Sequence, residues 1–345
     1  MVSSYSLQRT KFCGPSIPAR ARASPGHLCP YPKIRPVSQG EPPAPAYVAV
    51  VSKPHPPARL DVRKTYTLFI NGEFVRSQSG RSDPVGTGTE DFAHVARASR
   101  EDLREAVASA RAAQPKWARS APSERGLVLY RLAQMMEARR AQFVERIRSA
   151  TKADEPTALR EAMASTDRTL WYAGWADKYA AVVSARNPVA GPYFCYSAPE
   201  PMGVVGVIAP DEPTLLGLVS CVVPPLVSGN TVVAVASELD PRGAIEFAEC
   251  LATCDLPAGA VNLLTGRRIE LAPTLARHMD LAALDAYGLD ASFAAELERL
   301  GTDNLKRTRT FPASPPSVWF SDEAQDLSHV TALTEIKTIW QASAV

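Results

Sequence analysis

Four short stretches of this 345-residue chain hold side chains whose types and placing suit chemistry: residues 210–214, 237–240, 265–268 and 287–290. Each follows a short apolar run and leads into a helical one, and open parallel sheets bind ligands beyond the carboxyl ends of their strands. A dinucleotide at such a place needs glycines for close backbone approach, free N–H groups at a helix start and polar groups for a ribose. Gly266 and Gly288 end two of the runs, and Glu238, after a third, has a carboxylate able to accept from ribose hydroxyls. The same residues serve equally well as plain turn glycines and a helix cap, and no Gly-x-Gly-x-x-Gly follows a strand.

Covalent catalysis has little to work with. A nucleophile needs a base and an oxyanion site beside it, yet no Cys follows Cys254, and His27, His55, His94, His278 and His329 are scattered outside any motif. Cys250 and Cys254 stand four apart on one predicted helix face without further ligands nearby, so no metal site is expected. Six cysteines without a paired framework point to a reducing, cytoplasmic setting rather than a disulfide scaffold.

The elements that must position these residues begin at Lys64. Residues 66–75 alternate apolar and polar around Asn71-Gly72, a hairpin signal. Helical spacing marks residues 101–114, preceded by Ser99 as N-cap, then 123–136 and 158–181, each with one apolar stripe. Beyond Pro201 strands are expected at 203–209, 231–236, 259–264, 281–285 and 305–310, separated by helices at 215–227, 241–253, 270–277 and 292–300. Short apolar strands alternating with helices predict an α/β fold, a doubly wound parallel, Rossmann-like sheet with a helical N-terminal layer.

Composition divides the chain at the same point. Residues 1–64 carry net charge +8 and residues 1–60 hold twelve of the thirty prolines, whereas the remainder is net −6. Residues 1–63 read as a disordered, Pro-rich basic leader or linker, or alternatively as a mitochondrial transit peptide. An acidic folded part excludes sequence-specific nucleic-acid binding. Residues 213–237 lack charge, but Pro224, Pro225, Gly229 and Asn230 interrupt them, so no transmembrane segment is expected.

Seven collinear blocks carry a resemblance: LFINGEFV (68–75), SERGLVLYRLAQMME (123–137), YAGWADK (172–178), PMGVVGVIAP (201–210), SGNTVV (228–233), LPAGAVNLLTG (256–266) and DNLKR (303–307). In order, they resemble the coenzyme-binding half of aldehyde dehydrogenases across residues 66–328, most closely the divergent second copy of the two-copy, family sixteen enzymes. The resemblance implies a coenzyme-binding domain at 64–328, with a C-terminal helical tail at 329–345. It implies NAD or NADP as cofactor, with Ile208, Ala209, Pro210, Glu238 and Gly288 as contacts.

It also shows what has changed. Where the family has Pro-Trp-Asn, with the Asn at the oxyanion, this chain has Pro210-Asp211-Glu212. The ribose-gripping Lys is Val235; the second glycine of Thr-Gly-x-Gly is Arg268, which could itself bind a phosphate or lie solvated at the surface. In the Gly-Ser-Thr-x-x-Gly block Leu289 and Phe293 replace the Ser and last Gly, and the general-base Glu aligns with Phe311. No nucleophilic Cys follows, so the catalytic domain is expected to be largely missing, together with the strand that completes the family's oligomerisation arm. An uncovered apolar sheet face and poor solubility are the corresponding expectations.

The function expected is therefore that of an inactive family homologue with a structural or docking role, its partner an active aldehyde dehydrogenase or another protein. The alternatives are an NAD(P)-dependent oxidoreductase taking aldehydes to carboxylic acids and a non-catalytic dinucleotide sensor. Any cofactor binding is expected to be weak.

Overall fold

A computed structural model of the chain describes residues 64–86 and 91–342, all within one compact unit, Asp61–Val345. The leader expected at residues 1–63 lies outside the described residues.

Strands β1 (Leu68–Ile70) and β2 (Glu73–Val75) form the anticipated hairpin. Its turn puts Asn71 and Gly72 at φ 55° and 79°, the left-handed pair of a type I′ turn that Asn-Gly tolerates best. A second hairpin joins β3 (Ser82–Val85) to β4 (Ala93–Ala96). Helix α1 (Arg100–Arg119) starts on Ser99, which forms a capping box with Asp102, and runs through Pro115 beyond its expected end. Helix α2 (Pro122–Ala138) follows as expected.

The helix expected at 158–181 is divided differently. An unanticipated α3 (Arg140–Thr151) stops at Lys152, in the left-handed region at φ 59°. The chain restarts as α4 (Glu155–Trp175), capped by the Asp154 carboxylate on Thr157 N–H at 3.1 Å. A short α5 (Tyr179–Val183) leads to strands β5 (Ala185–Asn187) and β6 (Tyr193–Pro201).

The remaining elements follow the expected rhythm: β7 (Val204–Ile208), α6 (Leu216–Val227), β8 (Thr231–Val235), α7 (Arg242–Leu251), β9 (Val261–Leu264), α8 (Arg268–Arg277), β10 (Leu281–Leu289), α9 (Ala291–Gly301) and β11 (Arg307–Pro312). Their strands form the parallel part of a seven-stranded sheet, order β11-β10-β7-β8-β9-β1-β2, to which the first hairpin adds β1, antiparallel to β9, and β2 beyond it. Successive side chains leave a strand on opposite faces. Val205 and Val207 thus join Leu132, Tyr172, Val219 and Phe247 in one core cluster, while Val204 and Ile208 join Leu103, Val107, Leu275 and Leu297 in the other. Both faces are covered, which is why these strands carry almost no polar residue.

The tail corrects two expectations. The described part of the tail, residues 329–342, does not continue as a helix: α10 (Ser328–Thr331) is a single turn, and β12 (Thr334–Ala342) pairs antiparallel with β6 over nine residues, from Thr334 opposite Pro201 to Ala342 opposite Tyr193. A three-stranded sheet, β12-β6-β5, results, in which the tail supplies an edge strand. A strand needs a partner before its alternating pattern means anything, and that partner lies far upstream in sequence. Nor is the sheet face left bare, because Trp319, Leu327, Val330 and Leu333 pack against the first core cluster.

Candidate functional site

The carboxyl ends of β7, β8, β9 and β10 bring the four stretches together around a cleft of about 510 Å³. Pro210, Asp211, Glu212, Glu238, Arg267 and Gly288 line one side, and Pro312, Ser314, Pro316 and Trp319 the other. A second hollow of about 570 Å³ adjoins it, over the starts of α8 and α9, lined by Asp211, Glu238, Arg268, Asp290 and Phe293 among others.

Of the expected cofactor contacts, Pro210, Glu238 and Gly288 reach the cleft; Ile208 and Ala209 are each about 1% exposed and pack in opposite core clusters. Ala209 spends its N–H on the Val235 carbonyl at 3.0 Å. Val235, where the family has its ribose-gripping Lys, is wholly buried.

Glu238 is engaged by the protein itself. One carboxylate oxygen accepts from the backbone N–H of Arg268 at 2.5 Å, and the other faces the Arg267 guanidinium at 3.8 Å. Arg268, which lines the adjoining hollow, donates to Asp211 at 2.5 Å and to the Gly288 carbonyl at 3.4 Å, with its Nε 3.6 Å from Glu238. Asp211 also accepts from the Glu238 N–H at 3.0 Å and from Ser237 Oγ at 3.2 Å. Both alternatives left open for Arg268, a phosphate ligand or a solvated side chain, give way to a third, an internal ion pair. Gly288 sits at φ +71°, and a Cβ there would stand 3.5 Å from Arg268 Nη1. That is ordinary contact distance, so the left-handed backbone, not crowding by the guanidinium, calls for glycine there.

The helix starts are filled in the same manner. An anion bound at a helix N-terminus takes the first unpaired N–H groups. At α8 the first of these is held by Glu238, and at α9 Asp290 accepts from Phe293 N–H at 2.9 Å and from Ser292 Oγ at 2.6 Å. Those hydrogen bonds, Ser292 first, hold the Asp290 carboxyl below its ordinary range. A pyrophosphate would meet carboxylates at both positions.

The positions expected to lack catalytic groups contain packing instead. Phe311 stacks on Tyr287 with ring centres 4.4 Å apart and planes 10° apart, and Trp319 approaches Tyr287 at 5.5 Å. Of the described cysteines, Cys195, Cys221, Cys250 and Cys254 are all free and buried. Burial pushes the thiols of Cys250 and Cys254 up to about 12 and about 11, and that of Cys221 well above its ordinary value. No described group of three or more His, Cys, Asp or Glu side chains is placed to hold a metal ion.

A third hollow, about 320 Å³, opens beside the cleft, lined by Ser149, Asp240, Arg242, Gly266 and Arg267 among others. Its hub, unforeseen from sequence, is Arg242, which donates to Asp240 at 2.6 and 2.9 Å, to Asp91 at 2.8 Å and to Ser149 at 2.7 Å. Burial raises the Asp91 carboxyl, but the hydrogen bonds from Arg242 and Ser149 outweigh it and bring it down to about 2.

The sequence profile of the aldehyde dehydrogenase family matches residues 74–309. The chain belongs to the aldehyde dehydrogenase family. It is 32% identical over 283 residues to an aldehyde dehydrogenase of Enchytraeus buchholzi, covering 79% of this chain and 56% of that one. Retinal dehydrogenase 2 of Mus musculus is 32% identical over the same length, with 53% of it covered. The chain thus spans about half the length of the curated relatives it matches. Among solved structures, PnpE in complex with nicotinamide adenine dinucleotide superposes with a TM-score of 0.68 at 25% identity, over 72% of this chain and 50% of that one. An NAD+ complex of an aldehyde dehydrogenase from Bacillus cereus gives 0.68 at 27%, with the same coverage. These matches establish the family's α/β architecture here; they do not reach the finer likeness to a family sixteen second copy.

Proposed function

We propose that this chain is a non-catalytic aldehyde dehydrogenase homologue with a structural or docking role. The observation that carries this is the Asp211–Arg268–Glu238 ion-pair cluster, which uses inside the protein the carboxylate a ribose would need. Four carboxylates, Asp211, Glu238, Asp290 and Glu296, against Arg268 line the hollow where a pyrophosphate would approach the helix starts, and like charges desolvated together are costly. Weak or absent NAD and NADP binding follows.

The β12-β6-β5 sheet supports a docking role. It leaves Tyr193, Ile336 and Trp340 exposed on one face and Phe194 on the other, large apolar side chains unusual on a sheet that meets only water. In this reading the partner is an active aldehyde dehydrogenase or another protein. Its setting is the reducing cytoplasm, in keeping with the four free cysteines. Among the described residues no helix is long and apolar enough to cross a membrane.

The test is thermal unfolding of the purified full chain against NAD and NADP up to millimolar concentration. A ligand that prefers the folded state must raise the midpoint, so an unchanged midpoint is expected. A clear rise would replace this reading with that of a dinucleotide sensor or enzyme.

A further inference from the structure

After β11 the chain runs through fifteen residues, 313–327, containing only two short 3-10 turns, Pro316–Phe320 and Asp322–Gln325. So short and irregular a stretch has no core of its own and holds its place only through what it touches. Its main grip is Arg168 of α4, a guanidinium 3% exposed. Arg168 donates to the Trp319 carbonyl at 2.8 Å, the Ala324 carbonyl at 2.6 Å, Gln325 Oε1 at 3.2 Å and Ser220 Oγ at 2.8 Å. Three of the four acceptors belong to the segment, and all four are uncharged.

The same helix supplies two further contacts. Tyr172 donates its hydroxyl to the Asp326 carbonyl at 3.2 Å, and the Arg160 guanidinium lies over the Phe320 ring at 4.4 Å. Trp319 of the segment meets the Tyr287–Phe311 stack, and Cys221, 3% exposed and in the same core cluster, sits against Tyr287 and near Arg168. Beside it, Pro312, Ser314, Pro316 and Trp319 wall the 510 Å³ cleft.

We infer that residues 313–327 are a strap, latched in cis by Arg168, that occupies this face of the sheet and whose release uncovers the Tyr287–Phe311 stack, Cys221 and the cleft. The physics favours a latch over a permanent weld. Burying a guanidinium without a carboxylate carries a desolvation cost that offsets much of what its hydrogen bonds contribute. The apolar hold rests on Trp319 and Leu327, both only partly buried against the core, while Val318 is 50% exposed. While the strap is latched, a partner protein must dock elsewhere. This inference stands whether or not the chain binds cofactor.

Hydrogen exchange on the wild-type full chain tests it first. Amides of residues 313–327 are expected to exchange at least tenfold faster than those of β7, β8 and β10, through a local opening; exchange of all of them at one common rate would overturn the strap. The second measurement is native-state alkylation by N-ethylmaleimide at pH 8, mapped by mass. In Arg168→Met, Cys221 is expected to react at least tenfold faster than in the wild type, with Cys250 and Cys254 unchanged. Unaltered Cys221 reactivity in a folded Arg168→Met protein, or an equal rise at all three thiols, would overturn the latch. If that variant does not fold, Tyr172→Phe is expected to raise strap exchange alone, and no change there would count equally against it.

Discussion

The guanidinium of Arg268 lies 2.5 Å from the carboxylate of Asp211, a residue 57 positions earlier in the chain, and the pair lines the hollow over the starts of α8 and α9. Arg268 is largely shielded while Asp211 is about half exposed, so the pair is a space-filling plug more than a source of stability.

Removing the plug should restore space. In Arg268→Gly, Glu238 loses the guanidinium beside it and keeps its bond from the backbone N–H of residue 268. NAD at millimolar concentration is expected to raise the unfolding midpoint by about 1–2 °C, with no rise expected in the wild type. A variant as unresponsive as the wild type would place the block elsewhere, with the Asp290 carboxylate at the start of α9 the next residue to change.

Glu246 gives the fold a pH dependence near neutrality. It is 7% exposed, its Oε2 has no hydrogen-bond partner, and burial pushes its carboxyl from 4.5 up to about 7 against the pull of Lys64 and Arg146, with Glu249 and Glu145 adding to the rise. The folded pKa lies above the unfolded one, so between those values the folded state holds the extra proton and stability falls as pH rises. The loss across pH 4.5 to 7 is about 3 kcal/mol. Urea unfolding of Glu246→Gln should show higher stability than the wild type at pH 8 and little difference at pH 4.5. A wild type as stable at pH 8 as at pH 5 would contradict this.

Asp240 and Arg242 are both buried, with side chains 3% and 2% exposed, and Arg242 also holds Asp91. Breaking such a pair leaves a buried charge short of its partner, so Asp240→Ala is expected to cost about 3 kcal/mol. Replacing the exposed Glu101, which meets Arg104 at 3.2 Å on the surface, should cost about 0.5 kcal/mol or less. Denaturant midpoints of the two variants, measured together, check the ranking.

Asn230 ties the tail to the sheet. Completely buried, it accepts from Gly203 N–H at 2.8 Å and donates to the Leu333 carbonyl at 2.9 Å and Ser228 Oγ at 2.8 Å. Asn230→Ala strands these groups, at an expected cost of about 2–3 kcal/mol. Because Leu333 directly precedes β12, amide exchange of residues 334–342 should quicken more than that of β9. Equal effects on both would show that Asn230 supports the sheet as a whole and not the tail.

The sequence alone determined the features that depend on neighbours a few residues apart. Asn71-Gly72 specifies its hairpin by backbone preference, Ser99 its helix start by capping, and the Val-rich runs their burial by lack of any polar atom. The seven blocks likewise pointed to the family, and the alternating apolar runs to the succession of strands and helices, whereas the order of strands within the sheet came only from the structure. What the site does with its side chains was decided only in three dimensions. Whether Glu238 faces a ribose or an arginine depends on a residue 30 positions away, and the strap depends on Arg168 meeting Ala324 across 156 positions. The β12 strand, taken from sequence for a helical tail, became a strand because β6 offered its open edge. Local propensity is set by each residue and its immediate neighbours, whereas an ion pair, a buried donor or a paired strand is set by whichever distant group the fold brings within about 3 Å of it.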